Sequence, residues 1–302
     1  MVYEWLRSGG SMDIKEQVEF SIRKTFHKEL FSRFAKAINT YELLQPGDKV
    51  AVCISGGKDS MLLAKLFQEL LRHRKFPFSL EFLVMDPGYL PENRRKIEDN
   101  AALLGIPVTI FETEIFDTVY DIKDSPCYLC ARMRRGNLYS KAKEQGCNKI
   151  ALGHHYDDVI ETILMGMLYG GQVQTMMPKI ESTNFPGMEL IRPMYLVREE
   201  DIIRWRDENG LSFLQCACRF TEKAELEKAD GGLESKRAEI KRLIRELKKT
   251  NPYVESNIFK SVENVNLSTV IAYKESGKTH YFTEWYGKKH QGDSAENRID
   301  EP

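Results

Sequence analysis

The sequence predicts an α/β protein with a doubly wound, mainly parallel sheet of five strands. Short apolar segments of strand length alternate with longer segments in which apolar residues recur every three or four positions. The strands are apolar along most of their length, as is typical of parallel strands covered by helices on both faces. The five predicted strands are residues 50–54, 80–85, 107–111, 149–152 and 189–191.

Helices are predicted between these strands and at both ends of the chain. In residues 15–41, Phe26, Leu30 and Phe34 belong to one apolar stripe, which predicts an N-terminal helical segment. Two amphipathic segments are predicted after the last strand and its helix. The predicted interior helices are residues 61–71, a segment from Pro91 to Gly105, a segment ending near Gln145, and residues 159–169 and 199–209; the C-terminal ones are 236–249 and 257–265.

Composition changes along the chain predict three parts. Residues 1–45 form an N-terminal helical segment, and residues 46–218 form the domain that carries the motifs. Residues 219–302 form a helical, partly basic extension with a mobile tail, because the last residues are polar and mixed in charge.

Overall composition excludes wholesale disorder, and charge alone does not exclude a nucleic-acid partner. The 302 residues are 42% hydrophobic and include 44 basic and 45 acidic side chains. The charge is segregated, however, because residues 236–249 contain seven basic and two acidic side chains. No run of 18 apolar residues occurs and residues 1–12 lack an apolar secretory core, so we expect a cytoplasmic protein without a membrane partner.

A glycine-rich loop connects the first predicted strand to a helix. Glycines allow close approach of a ligand to the backbone, and the helix that follows supplies free N–H groups for an anion. The spacing is neither that of a P-loop nor that of a dinucleotide loop, and its acid suits a Mg²⁺ ion between protein and phosphate. The loop is Ser55, Gly56, Gly57, Lys58, Asp59 and Ser60.

Polar residues also follow two other strands. Asp86 closes the second strand, where it either forms a turn before Pro87 or faces a ligand. Gly153-His154-His155-Tyr156-Asp157-Asp158 follows the fourth strand and opens a helix. The two aspartates suit a helix start, whereas paired histidines at the end of a strand favour a functional site.

The six cysteines divide into candidate ligands and bystanders. Cys127 and Cys130 have the spacing of a ligand pair at a helix start, and Cys216 and Cys218 follow much later in the chain. By themselves these four residues allow a zinc site, a dithiol redox pair or an iron–sulfur cluster. Cys53 lies inside a strand and is interpreted as a core residue, and Cys147 as incidental.

The hexapeptide 55–60 resembles the signature of the PP-loop ATP pyrophosphatases, and Gly153–Asp158 resembles a motif of their tRNA-thiolating branch. Residues 49–61 are most similar to the tRNA 2-thiocytidine synthetase family, and the likeness extends over residues 30–218 and again over 251–258. The resemblance implies an enzyme that cleaves ATP to AMP and pyrophosphate. It would adenylate the C2 oxygen of an anticodon-loop cytidine, which sulfur then replaces to give 2-thiocytidine.

The same resemblance implies the site residues and cofactors. It implies a [4Fe-4S] cluster on Cys127, Cys130 and Cys216 that holds the sulfide. The chain has Cys-Ala-Cys where the family usually has Cys-x-x-Cys, so Cys218 is an alternate ligand. Asp59, Asp158, Cys127 and Cys130 would be catalytic, with Asp158 acting through Mg²⁺ or as a proton acceptor. The implied ATP site consists of Ser55, Gly56, Gly57, Lys58, Asp59, Ser60, Asp86, Arg134, Gly153 and Asp158.

A tRNA substrate, a sulfur donor and a homodimer are the implied partners. Residues 72–75, the arginines after Cys130 and residues 236–249 are the basic clusters available for RNA phosphates. Three alternatives remain. The sister 2-thiouridine branch differs by N-terminal cysteine pairs, and no cysteine precedes Cys53 here. A PP-loop amide or lysidine ligase would not need the cysteine set, and a non-enzymatic cluster carrier would not need the intact loop.

Overall fold

A six-stranded, mainly parallel sheet forms the centre of the protein, in a computed structural model that describes residues 12–116, 126–214 and 235–286. Its strand order is β3-β2-β1-β4-β6-β5, and all neighbouring pairs are parallel except the edge pair β5 and β6. The strands are β1 Lys49–Ile54, β2 Ser79–Asp86, β3 Val108–Glu112, β4 Lys149–Ala151, β5 Lys179–Glu181 and β6 Glu189–Ile191.

Nine α-helices lie within the described ranges. A π-helical turn, His27–Phe31, joins the first two, and the fourth begins with Pro91 and ends at Gly105 in the left-handed conformation. The helices are α1 Ile14–Arg23, α2 Ser32–Thr40, α3 Lys58–Arg72, α4 Pro91–Leu104, α5 Pro126–Glu144, α6 Tyr156–Gly170, α7 Glu199–Glu208, α8 Lys236–Thr250 and α9 Val254–Ser261.

The central strand β1 separates two layers of the core. Val50, Val52 and Ile54 pack on one face with α1 to α4, whereas Ala51 and Cys53 pack on the other. This alternation is the two-residue period of a strand, and it explains why both helical layers require an almost wholly apolar β1. The α/β fold and the parallel sheet predicted from the sequence are therefore confirmed.

The N-terminal and C-terminal helices pack onto the same body. Phe26 and Phe34 are fully or almost fully buried in the cluster that also contains Val52. On the other side, Ile240 and Ile244 of α8 and Phe259 of α9 pack against α6. The division into parts 1–45, 46–218 and 219–302 stays a prediction, but the outer helices share their cores with the sheet or with the helices that cover it.

Three details differ from the expectation. The sheet has six strands rather than five, because Lys179–Glu181 adds a short antiparallel edge strand. The C-terminal extension is not wholly helical, since Ala272–Glu275 (β7) and Lys278–Tyr281 (β8) form an antiparallel hairpin. The second C-terminal helix, Val254–Ser261, begins and ends earlier than residues 257–265. The tail predicted to be mobile lies beyond residue 286, outside the described residues.

Within the described ranges, every helix is too short or too polar to cross a membrane.

Candidate active site

The loops predicted to carry function meet where the order of the sheet reverses. The chain passes from β1 outward to β2 and β3, then returns to place β4 on the other side of β1. Loops that leave β1 and β4 therefore diverge in opposite directions and open a crevice at the carboxyl edge of the sheet. Residues 55–60 follow β1 and residues 153–158 follow β4, so both line this crevice.

The loop after β1 turns into α3 with its backbone exposed to the crevice. Gly56 has a positive φ of 86°, and a Cβ there would lie 2.6 Å from Cγ1 of Ile97. The hydroxyl of Ser60 accepts a hydrogen bond from the Ser55 N–H at 3.1 Å and donates one to the Gly57 carbonyl at 3.0 Å. The loop is thereby held in one conformation, and the N-terminus of α3 stays available for an anion.

Gly153 lies directly against the start of α3. A Cβ on this glycine would lie 3.2 Å from the carbonyl carbon of Asp59, 3.2 Å from the nitrogen of Ser60 and 3.3 Å from the Asp59 oxygen. All three are backbone atoms, which cannot move aside as a flexible side chain does. The missing side chain at Gly153 is therefore what lets the two loops touch.

His155 and Asp158 cap the helix that follows β4. The Asp158 N–H donates to Nδ1 of His155 at 3.4 Å, and the His155 N–H donates to Oδ2 of Asp158 at 3.1 Å. Because Nδ1 accepts this hydrogen bond, Nε2 is the ring nitrogen that can donate to the carboxylates nearby. That nitrogen lies 3.5 Å from Oδ2 of Asp158 and 3.8 Å from Oδ1 of Asp59. The cap thus brings one carboxylate from each loop to the same histidine.

Lys58 connects the first loop to α7. Its ammonium lies 3.1 Å from Oδ2 of Asp59 and 3.1 Å from Oε1 of Glu199. The other oxygen of Glu199 accepts a hydrogen bond from Lys241 of α8 at 2.8 Å. One carboxylate therefore holds two lysines that are far apart in the chain.

Glu161 and Arg237 complete the connection on the other side. Glu161, whose side chain is 2% exposed, lies 3.6 Å from Lys241 and 3.6 Å from Nε of Arg237. Nη1 of Arg237 donates to Oδ1 of Asp158 at 2.7 Å. These contacts form a closed cycle, here called the charge ring, in which cations and acids alternate and His155 lies between two acids. Its members, in order, are Lys58, Glu199, Lys241, Glu161, Arg237, Asp158, His155 and Asp59.

The ring shifts the pKa values of its acids in opposite directions. Burial opposes ionisation of Glu199, but Lys241 and Lys58 outweigh it and lower the pKa to about 2. For Asp158, burial is likewise outweighed by His155 and His154, with Arg237 adding to them, and the pKa is lowered. At Glu161 burial dominates, and the pKa rises to about 7. Asp158 and Glu199 are therefore ionised at neutral pH, whereas Glu161 holds its charge weakly.

Comparison with known proteins identifies the fold and family. Residues 26–218 match the PP-loop domain family. The tRNA-cytidine(32) 2-sulfurtransferase 1 of Francisella philomiragia is 38% identical over 82% of this chain and 93% of its own length, and the Coxiella burnetii tRNA-cytidine(32) 2-sulfurtransferase is 35% identical over 82% and 94%. The chain belongs to the PP-loop family, in the branch of these sulfurtransferases. The resemblance of the glycine-rich loop is thereby confirmed.

A solved structure supports the fold of this PP-loop protein independently. The U34-tRNA thiolase NcsA from Methanococcus maripaludis, determined with its [4Fe-4S] cluster, superposes with a TM-score of 0.59 at 21% identity. The superposition covers 77% of this chain and 76% of the thiolase. At 21% identity this likeness shows a shared fold and nothing further.

Two other predicted nucleotide residues, Asp86 at the end of β2 and Arg134 on α5, both contact Tyr89. One oxygen of Asp86 accepts from the N–H groups of Gly88 and Tyr89 at 2.9 and 2.7 Å, and the other lies 3.3 Å from Arg94. Nη2 of Arg134, on α5, lies 3.5 Å from the Tyr89 hydroxyl. Asp86 thus forms the turn that the sequence allowed. Neither residue contacts the charge ring within the described part of the chain, and their nucleotide role stays a prediction.

The predicted cluster ligands are only partly within the described chain. Cys127 and Cys130 belong to the first turns of α5, where positions three apart share one face, but their side chains lie outside the description. Cys216 and Cys218 lie outside the described residues altogether. Cys53 is buried in the core, as expected, and burial raises the pKa of its thiol to about 12; Cys147, interpreted as incidental, is buried as well.

The basic clusters predicted to meet RNA lie in different places. Residues 72–75 follow the C-terminal end of α3, so they lie at the edge of the sheet opposite the crevice. In α8, Arg237 and Lys241 face the crevice, and Lys248 pairs with Glu255 at 2.7 Å. Part of the positive charge of α8 is therefore paired with acidic side chains of the same chain.

Sequence reasoning missed four members of the charge ring. The sequence did not predict these four as site residues: Glu199, Arg237, Lys241 and Glu161. For two of them, however, the spacing along the helix indicated a packed position. Arg237 and Lys241 are four residues apart and in line with the buried Ile240 and Ile244, so they had to lie on the packed face of α8. Their acidic partners depend on contacts between α6, α7 and α8 that spacing along the chain does not specify.

We expect Gly153→Ala to weaken nucleotide binding because the added methyl group collides with backbone atoms of Asp59 and Ser60. Overpacking of this kind costs about 1–3 kcal/mol, and where this cost falls on the nucleotide-binding conformation it corresponds to a roughly 5- to 150-fold rise in the Kd for ATP. Isothermal titration with ATP measures it. Gly170→Ala is the matched control, because a Cβ there meets nothing within 4 Å. Equal ATP affinity in the two variants would contradict the role assigned to Gly153.

We expect Glu161 to make stability depend on pH with a definite sign. Its folded-state pKa of about 7 exceeds the ordinary value, so its contribution to stability is present below about pH 4.5 and is lost as pH rises through 7. The unfolding free energy of Glu161→Gln minus that of the wild type should therefore rise by about 1–3 kcal/mol over this range, allowing for solvent screening. Urea unfolding at several pH values measures this difference, with the exposed Glu144→Gln as control. A difference that is constant with pH would refute it.

Proposed function

We propose that the protein is an ATP-dependent tRNA sulfurtransferase that converts a cytidine of the anticodon loop to 2-thiocytidine. The observation that carries the proposal is the meeting of two motif-bearing loops at the sheet's switch point, in a chain that spans over nine-tenths of relatives named tRNA-cytidine(32) 2-sulfurtransferase. The site offers backbone N–H groups, a lysine and carboxylates, which are the groups needed to hold and activate a nucleoside triphosphate.

The first half-reaction is activation of the base by ATP. The C2 oxygen of the cytidine forms a bond to the α-phosphorus, the bond from that phosphorus to the bridging oxygen breaks, and pyrophosphate leaves with the electron pair. The N–H groups at the start of α3 and the Lys58 ammonium lie at the carboxyl edge of β1, where they stabilise charge that builds on the leaving pyrophosphate. In the second half-reaction a sulfide adds at C2, the C2–O bond breaks, and AMP leaves with that oxygen and the electron pair.

The site has a donor set that suits Mg²⁺. Oδ1 of Asp59 is buried and has no hydrogen-bond partner within the described chain, and it lies near the same imidazole nitrogen as Oδ2 of Asp158. A buried carboxylate oxygen without a donor is a favourable ligand for a hard cation. Asp59 and Asp158 would hold the ion, which when bound shields the phosphates from these carboxylates.

The cysteines supply the sulfur side of the proposal. Cys127 and Cys130, three residues apart at the start of α5, and Cys216, with Cys218 as alternate, provide thiolates of the kind that ligate a [4Fe-4S] cluster. α5 begins beyond β3 and packs near the residues that follow β2, beside Tyr89. When bound, such a cluster carries the sulfide for transfer. Each turnover would consume one sulfide, so we further propose an external sulfur donor that replenishes it.

The substrate enters as RNA with the target base exposed. Chemistry at C2 requires the nucleotide to leave its stack, which costs least in a loop. The outward cations of α8 and the arginines of α5 would contact phosphates near the crevice, whereas residues 72–75 would contact a more distant part. We further propose a homodimer that works in the cytoplasm, where tRNA and ATP are both present.

Nucleoside mass spectrometry of tRNA tests the proposed function directly. Cells lacking the gene should lose 2-thiocytidine, wild-type protein should restore it, and Asp59→Asn should not. The purified variant should release pyrophosphate at least about 100-fold more slowly, because Asn cannot hold the cation that Asp59 would bind. Asp207→Asn, an exposed acid of α7, is the matched control.

The product distinguishes the remaining possibilities. Loss of 2-thiouridine instead of 2-thiocytidine would assign the protein to the sister reaction. Unchanged thiolation with loss of another ATP-dependent product would assign it to a PP-loop ligase. Full activity of Asp59→Asn would refute the assignment of the loop.

A second measurement tests the cluster. Anaerobically purified protein should be brown, with absorption near about 400 nm that Cys127→Ala abolishes and Cys147→Ala leaves intact. Cys147 is the control because it is buried in the core away from α5's first turn. A colourless, iron-free protein that still thiolates tRNA would refute the cluster.

A further inference from the structure

The charge ring contains more acid than the known loop can balance. Its carboxylates are Asp59, Asp158, Glu161 and Glu199, while the glycine-rich loop supplies one fixed cation, Lys58. Four carboxylates against one ammonium would repel a polyphosphate, since like charges within a few ångströms interact strongly where water is excluded. The other two fixed cations of the ring come from α8, which lies beyond the residues that match the PP-loop domain family.

Lys241 is close to Lys58 because both bind one carboxylate. Lys58 lies 3.1 Å from Oε1 of Glu199, and Lys241 lies 2.8 Å from Oε2. The two oxygens of a carboxylate are only about 2.2 Å apart, so the two ammonium groups lie on either side of the Glu199 carboxylate and at most about 8 Å from each other. A phosphate group contacted by Lys58 is thus within reach of Lys241.

Arg237 brings a further cation to the charge ring, beside Asp158 and Glu161. Its Nη1 holds Asp158 at 2.7 Å, while its Nε lies 3.6 Å from Glu161, longer than a hydrogen bond. Guanidinium carries five N–H donors, and the side chain of Arg237 is 43% exposed, so donors remain for a ligand in the crevice. Lys241 is 39% exposed and also faces the crevice.

We propose that Arg237 and Lys241 bind the pyrophosphate portion of ATP together with Lys58, so that the C-terminal helix α8 forms one wall of the nucleotide site. Glu161 and Glu199 hold the two cations in place before the nucleotide arrives. On binding, the phosphate oxygens take over part of their coordination, and the same contacts stabilise the pyrophosphate as it leaves.

Packing gives α8 the rigidity that this role requires. Ile240 and Ile244, on the same face as Arg237 and Lys241, are buried against α6 next to Val159 and Ile163. α6 starts at the capping box that contains Asp158. The apolar contact therefore fixes the cations relative to the β4 loop, and a shift of α8 along α6 would move both of them.

The inference rests on the proposed cleavage of ATP, and ligand titrations test it separately from that reaction. Arg237→Gln and Lys241→Gln should each raise the Kd for ATP and for inorganic pyrophosphate by about 10- to 100-fold, the loss of a charge-assisted contact. The Kd for AMP, which lacks the two outer phosphates, should change less than about twofold. Isothermal titration of the full chain with the three ligands measures this.

Matched variants separate binding from folding. Arg245→Gln and Lys249→Gln remove the same charges from the exposed face of α8 and should leave all three affinities unchanged. Because Arg237→Gln leaves buried Glu161 without that partner, the double variant Arg237→Gln/Glu161→Gln removes both charges and keeps the comparison valid if the single variant unfolds. Arg237→Lys, which keeps the charge, should recover part of the pyrophosphate affinity.

The outcomes distinguish the two proposals. If the variants lost affinity for ATP and AMP equally, or lost no affinity, binding of the pyrophosphate portion by α8 would be refuted. Wild-type protein that binds pyrophosphate through these residues but never releases it from ATP would support this inference and overturn the proposed reaction. Selective loss of ATP and pyrophosphate affinity with an active wild type would support both.

Discussion

The contact between Gly153 and the backbone of Asp59 and Ser60 is the constraint on which the site depends. A parallel sheet brings the ends of β1 and β4 to the same edge, but two loops with side chains at this point would be pushed apart. With hydrogen in place of a methyl group, the start of α3 and the start of α6 lie side by side. His155 can then approach Asp59 and Asp158 together, so the position of one glycine decides which carboxylates share a site.

That proximity creates an electrostatic problem which the rest of the structure solves. Acids from two loops and from α7 lie close together in a partly buried crevice, and three cations, Lys58 from the first loop and Arg237 and Lys241 from α8, alternate with them. Burial raises the pKa of Glu161 more than its ion pairs lower it. The free-energy cost of burying ionised acids therefore falls mainly on this residue. Asp158 and Glu199 have lowered pKa values, so both carboxylates are ionised at neutral pH.

Parts of the fold and site with a local signal were predictable. β1 is apolar because it is covered on both faces, and Gly105 ends α4 because it adopts a left-handed conformation. Strand β5 was missed because its three residues are partly exposed and it is defined only by pairing with β6. The hairpin of β7 and β8 was missed for a similar reason, since its residues are polar and have no strong apolar alternation. The sequence allowed Asp86 either to form a turn or to face a ligand, and its hydrogen bonds from Gly88 and Tyr89 form the turn.

The alternation of strands and helices, the two motif loops and the candidate metal-binding cysteines can all be read from the sequence, because each depends on residues close together along the chain. The tertiary structure decided which charges meet. Lys58, Glu161, Glu199, Arg237 and Lys241 come from four different helices. Their pairing follows from the packing of α8 against α6 and from the parallel order of the sheet. A basic segment that looked like a surface for RNA is therefore, on its packed face, part of the crevice, because the apolar stripe beside its cations is buried there.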